Sequence, residues 1–154
     1  MADPARHDVQ VLNRLIETTI DSVDGYEKAA QEAKNPEFRR IFEERAFERR
    51  QACDELRTEV ARRGGKVEDD GSMLAKAHRS FLKLRDVAAG GDDKKVINEV
   101  ERGEDFIKAK YETAMRDGDL TPAARETVMR AYSSVKSGHD QMSALKHGLE
   151  ERRH

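Results

Sequence analysis

At 154 residues the chain has the length for one hydrophobic core, and a single domain over residues 1–154 is expected. Hydrophobic residues make up 36% and charged ones 39%, yet 29 Lys plus Arg almost balance 31 Asp plus Glu. That balance excludes a basic nucleic-acid arm and an acidic disordered tail. No apolar run reaches the roughly 18 residues of a membrane span, the N-terminus lacks the apolar stretch of a secretory signal, and one cysteine, Cys53, excludes an internal disulfide. A cytoplasmic protein with neither nucleic-acid nor membrane partners is expected.

In chain order, Asp3-Pro4 opens a helix to about Lys34, with Leu12, Ile16, Thr19, Val23, Tyr26, Ala30 and Ala33 as its seam. Asn35-Pro36 caps and starts a second helix, because Asn accepts from the free amides and Pro needs no partner in the first turn. This helix turns Phe38, Phe42, Ala52, Leu56 and Val60 inward and stops at Gly64-Gly65. A polar loop, Lys66 to Gly71, leads to a shorter helix from Ser72 to about Ala89 with Leu74, Ala77, Phe81, Leu84 and Ala88 on one face. After Gly90-Gly91, Asp92 or Asp93 caps a third long helix that closes at Gly118, and Thr121-Pro122 starts the fourth. No segment alternates with period two, so the expected class is all-α.

The third and fourth long helices carry heptad seams that ionisable residues interrupt. One runs Ile97, Val100, Glu104, Ile107, Tyr111, Ala114; the other runs Val128, Tyr132, Val135, His139, Met142, Leu145. Glu104 and His139 therefore fall at core positions, with Glu101 and Lys136 one turn away, and Arg45 and Arg49 on the inward stripe of the second helix. Counting residues from the helix ends puts these groups, with Asp21, Asp24 and Glu48, in one layer across the bundle. Glu104 and His139 are then either a satisfied polar pair that fixes register or half of a metal or proton-handling site. Tyr26, Tyr111 and Tyr132 are expected as core rings whose hydroxyls reach this layer, and Cys53 as a small apolar filler.

Two tight connections make antiparallel pairs of the first helix with the second and the third with the fourth. Between them a connection of about 28 residues carries the short helix, long enough at about 1.5 Å per residue to return along the bundle. The second and third long helices should then run parallel, which is the ferritin-like arrangement of a four-helix bundle with one long crossover carrying a fifth helix.

Asp24-Gly25-Tyr26, Glu48-Arg49, Gly64-Gly65, Glu101-Arg102-Gly103-Glu104-Asp105 with Tyr111, and His139-Asp140 together resemble an uncharacterised bacterial four-helix-bundle family of ferritin-like fold, a domain-of-unknown-function group. The similarity runs from about Leu12 to Leu145. It implies the fold and brings no activity with it.

The wider ferritin-like class supplies a di-iron template: one Glu on each of two helices and Glu-x-x-His on each of the others. On that template the metal-ligand candidates are Glu104, Glu101, His139 and Glu48. The chain departs from it, since Lys136-x-x-His139 puts a cation where a Glu is expected, and Glu48-x-x-Gln51 puts an amide where a His is expected. The two arginines and Lys136 would supply the counter-charge that carboxylates otherwise take from metal. The leading expectation is a non-catalytic or weakly metal-binding bundle: a stress-associated structural or interaction protein with no resident cofactor. The stress role comes by family association alone. A homodimer is expected from wide apolar faces such as that of Met73, Phe81 and Leu82. The competing expectation is an iron protein, a di-iron-type oxidase or peroxidase binding iron or another divalent metal through the four candidates.

Overall fold

In the computed structural model, which describes residues 4–66 and 93–151, the chain forms α1 (Pro4–Glu32), α2 (Pro36–Arg62), α3 (Asp93–Met115) and α4 (Pro122–Glu151). Among the described residues there is no strand. The expected short helix, residues 72–89, lies outside the described residues, as does the apolar face bearing Met73, Phe81 and Leu82.

The helix boundaries follow local chemistry. Asn35 is extended and its side chain accepts from the Glu37 amide at 2.9 Å, with Pro36 in the first turn of α2. At the other end Gly64 takes the left-handed conformation (φ 74°), and the Gly64 and Gly65 amides turn back onto the Ala61 and Val60 carbonyls. Asp93 does more than begin α3. Its carboxylate accepts from the backbone amides of Lys34 and Asn35 at 2.8 and 2.9 Å, fastening the start of α3 to the α1–α2 turn.

That contact fixes the direction of every helix. α3 starts beside the end of α1, while His7 of α1 meets Asp117 just beyond α3 at 2.8 Å. α1 and α3 are therefore antiparallel, and α2 and α3 run the same way, as the length of the crossover predicts. α1 packs on α2 and α3, and α4 packs on the same two helices, so α2 and α3 face each other across the diagonal of the bundle.

Two apolar cores fill the bundle. One, at the end where the chain begins, gathers Leu12, Leu15, Ile16, Leu56, Val60, Ile107, Tyr111, Val128 and Val135. The other, at the α1–α2 turn, gathers Tyr26, Ala29, Phe38, Phe42, Ile97, Val100 and Met142. Between them lies a layer of polar side chains.

Candidate functional site

Arg49 of α2 and Glu104 of α3 meet in this layer, and both are 0% exposed. Arg49 Nη1 donates to Glu104 Oε1 at 2.7 Å and Nη2 donates to Oε2 at 2.5 Å, a fork-to-fork pair across the bundle diagonal. Nη1 also donates to Ser22 Oγ of α1 at 2.6 Å, and Nη2 to the Val135 carbonyl of α4 at 3.4 Å. One guanidinium therefore holds groups from all three other helices. Of its five N–H donors only the one on Nε finds no hydrogen-bond partner among the described residues. The Arg49 carbon centre stands 5.4 Å from the Tyr26 ring centroid, so the ring face covers one side of the cation.

A glycine on α4 makes this pair possible. Gly138 of α4 is buried, and a Cβ built on it would stand 2.5 Å from Arg49 Nη2 and 3.0 Å from Glu104 Oε2. Only a glycine lets the α4 backbone close over the ion pair without displacing it.

Burial pulls the Arg49 pKa down, but the adjacent Glu104 charge and its hydrogen bonds more than offset this, and the net direction is up. Burial, then the Glu104 charge, push the Tyr26 hydroxyl well above its ordinary value. Tyr111 is raised by burial as well. The Thr19 hydroxyl donates to the Leu15 carbonyl at 2.6 Å, so Tyr111 is the donor in its own 2.6 Å bond to Thr19. At this level the bundle holds an arginine that stays charged and tyrosines that stay protonated.

The residues expected in the layer divide. Glu104 occupies it as expected, and Arg49 is its partner. His139 does not face Glu104. It lies on the rim of α4, its side chain 21% exposed, with Nε2 2.6 Å from Asp105 Oδ1 and Nδ1 3.3 Å from Asp140 Oδ1. The physical reason is the step on α4: the inward positions are Val135, Gly138 and Met142, so His139 falls one place past the core position that Gly138 takes. Lys136 is correspondingly exposed. Glu101 accepts from Lys146 Nζ at 3.1 Å, and Glu48 is exposed and paired with Arg45 Nη1 at 2.7 Å. Arg45 Nε also donates to Gln141 Oε1 at 2.6 Å. Glu104, Glu101, His139 and Glu48 thus have their hydrogen bonds in four separate sets. Of the tyrosines, Tyr26 and Tyr111 are buried, while Tyr132 donates outward to Glu112 at 3.0 Å. Cys53 is buried in the apolar core.

A second polar cluster, which the helix seams do not reveal, closes the opposite end of the bundle from Asp93. Asp8 of α1 is 0% exposed; it accepts from the Thr121 amide at 3.0 Å, the Thr121 hydroxyl at 2.6 Å and Arg63 Nη1 at 2.5 Å. Arg63 also donates to Glu59 at 3.1 Å. Asp8 lies one step of four before Leu12, on the seam of α1, but nothing local shows which groups would satisfy it there.

A groove of about 410 Å³ between α2 and α4 is lined by Glu48, Gln51, Glu55, Arg130, Ser134 and neighbouring small residues, and does not reach the ion pair. Among the described residues no helix is long and apolar enough to cross a membrane.

A family model described as "Domain of unknown function (DUF2383)" matches residues 8–117, the stretch that supplies Asp8, Ser22, Arg49 and Glu104. No curated protein matches the chain.

Proposed function

The chain belongs to the DUF2383 family, a domain of unknown function, and from that starting point we propose that it is a non-catalytic ferritin-like bundle acting as a structural or interaction protein. What supports the reading is the occupation of Glu104. Both of its oxygens accept from Arg49, and a guanidinium stands where a metal ion would neutralise the carboxylate. Glu101 and Glu48 likewise answer to Lys146 and Arg45. The ferritin-like assignment draws on the two antiparallel hairpins with α2 and α3 parallel. A cytoplasmic, stress-associated homodimer completes the proposal, its stress role carried by family resemblance alone.

The test is the metal content and mass of protein purified without a tag or chelator. The expected result is substoichiometric iron and a dimer by sedimentation. Two irons held per chain, both lost on His139→Ala, would replace this reading with the carboxylate/His iron protein built on Glu104, Glu101, His139 and Glu48.

A further inference from the structure

We propose that His7, Asp117 and Asp119 bind a first-row divalent transition metal such as Zn²⁺ where the start of α1 meets the α3–α4 turn. One imidazole and two carboxylates offer ligand atoms that all lie within 4.8 Å of one another, the one such grouping of His, Cys, Asp and Glu among the described residues. Donors around a tetrahedral ion at about 2.0–2.1 Å stand about 3.4 Å apart, so small side-chain rotations bring these three onto a common centre. An imidazole among the donors favours zinc, cobalt or nickel over magnesium and calcium, which take oxygen ligands.

The groups are already held in part. His7 Nε2 stands 2.8 Å from Asp117 Oδ2, and the other Asp117 oxygen accepts from the Asp119 amide at 2.9 Å. Asp119 is exposed, and its carboxylate has no hydrogen-bond or ion-pair partner among the described residues, so it is free to turn inward. Arg125, the nearby cation, donates to the Asp117 backbone carbonyl at 2.7 Å and leaves the carboxylate to the other two residues. Because His7 and Asp117 are 110 positions apart, the three donors converge only in the folded chain, and an ion held there ties α1 to the second hairpin.

This site stands apart from the Arg49–Glu104 layer, so its failure and that of the proposed function are read separately. The experiment titrates Co²⁺ into chelator-treated, tag-free protein, following the cobalt absorption bands and their loss to competing Zn²⁺. One ion per chain is expected. Asp119→Asn removes an exposed, unpartnered charge without touching the fold, and His7→Gln keeps a polar side chain beside Asp117; each should weaken binding by roughly tenfold or more. His139→Ala, which removes another carboxylate-paired imidazole, should leave it unchanged. Absence of binding by the parent chain, binding that survives Asp119→Asn, or loss on His139→Ala overturns the proposal.

Discussion

Gly138 of α4 lies against the tip of Arg49 of α2, with room between them for a hydrogen and not for a methyl: a Cβ there would stand 2.5 Å from Nη2. The arginine cannot give way, because the same nitrogen is committed to Glu104 and the side chain is fully buried. Gly→Ala in a helix interior ordinarily stabilises by about 0.5–1 kcal/mol. Here Gly138→Ala should instead destabilise by about 1–3 kcal/mol, the usual range for overpacking. Urea unfolding measures it, and a mutant as stable as the parent would show that α4 does not close over the pair.

Glu104→Gln leaves the Arg49 charge buried without its counter-ion, and should cost about 3–5 kcal/mol. Replacing Arg49 and Glu104 together by Met and Leu should recover much of that loss, since two apolar groups carry no desolvation penalty. Thermal melts run with chelator separate this from a ligand role. A chelated mutant melting within about a degree of its parent would mean that Glu104 holds no structural pair.

Asp8→Ala strands the Thr121 amide and hydroxyl together with Arg63 Nη1, while the rest of that guanidinium keeps Glu59. The expected loss is about 2–4 kcal/mol, with the smaller part retained in Asp8→Asn because an amide oxygen still accepts. Hydrogen exchange should locate the opening at residues 121–125 and at the end of α2. Uniform loss of protection along the chain would contradict a local clamp.

The Asp117 carboxyl is lowered from its ordinary value of 3.8 by the Asp119 amide and then by the His7 hydrogen bond. A carboxyl lowered in the folded state contributes stability above its unfolded value and loses it as the pH falls through the folded value. Asp117→Asn should therefore reduce stability at neutral pH and narrow the gap to the parent once the pH is well below 3.8. The effect is small, because the side chain is about a quarter exposed and solvent screens it. Chelated melts across the acid range measure it; a gap that widens toward low pH would give the wrong sign.

The four described helices, their order and the buried Glu104 are legible in the sequence, because apolar spacing, Asn35-Pro36, Gly64-Gly65 and Thr121-Pro122 are local signals. Which of the inward cations Arg45, Arg49 and Lys136 pairs with Glu104 is not. An apolar seam shows which positions turn inward on one helix, but a glycine adds nothing to that pattern, so Gly138 hides behind His139 in a step of four where the fold takes three. Arg49 could be placed on the inward stripe, yet its long stem lets the charge land across the diagonal, which depends on the lateral fit of helices far apart in sequence. Asp8 is hidden for the same reason: its partners Arg63 and Thr121 are 55 and 113 positions away.

The ion pair also divides the chain in a way its helices do not announce. Arg49 belongs to the first hairpin and Glu104 to the second, so separating the hairpins would strip each of these buried charges of its counter-ion. Neither half can finish its interior alone; each is an incomplete template whose missing charge the other provides. Fragments 1–66 and 93–154, made separately and mixed, should recognise one another by this complementarity. A second copy of the chain could offer the same missing half, which makes exchange of hairpins between copies the natural fault of this fold at high concentration.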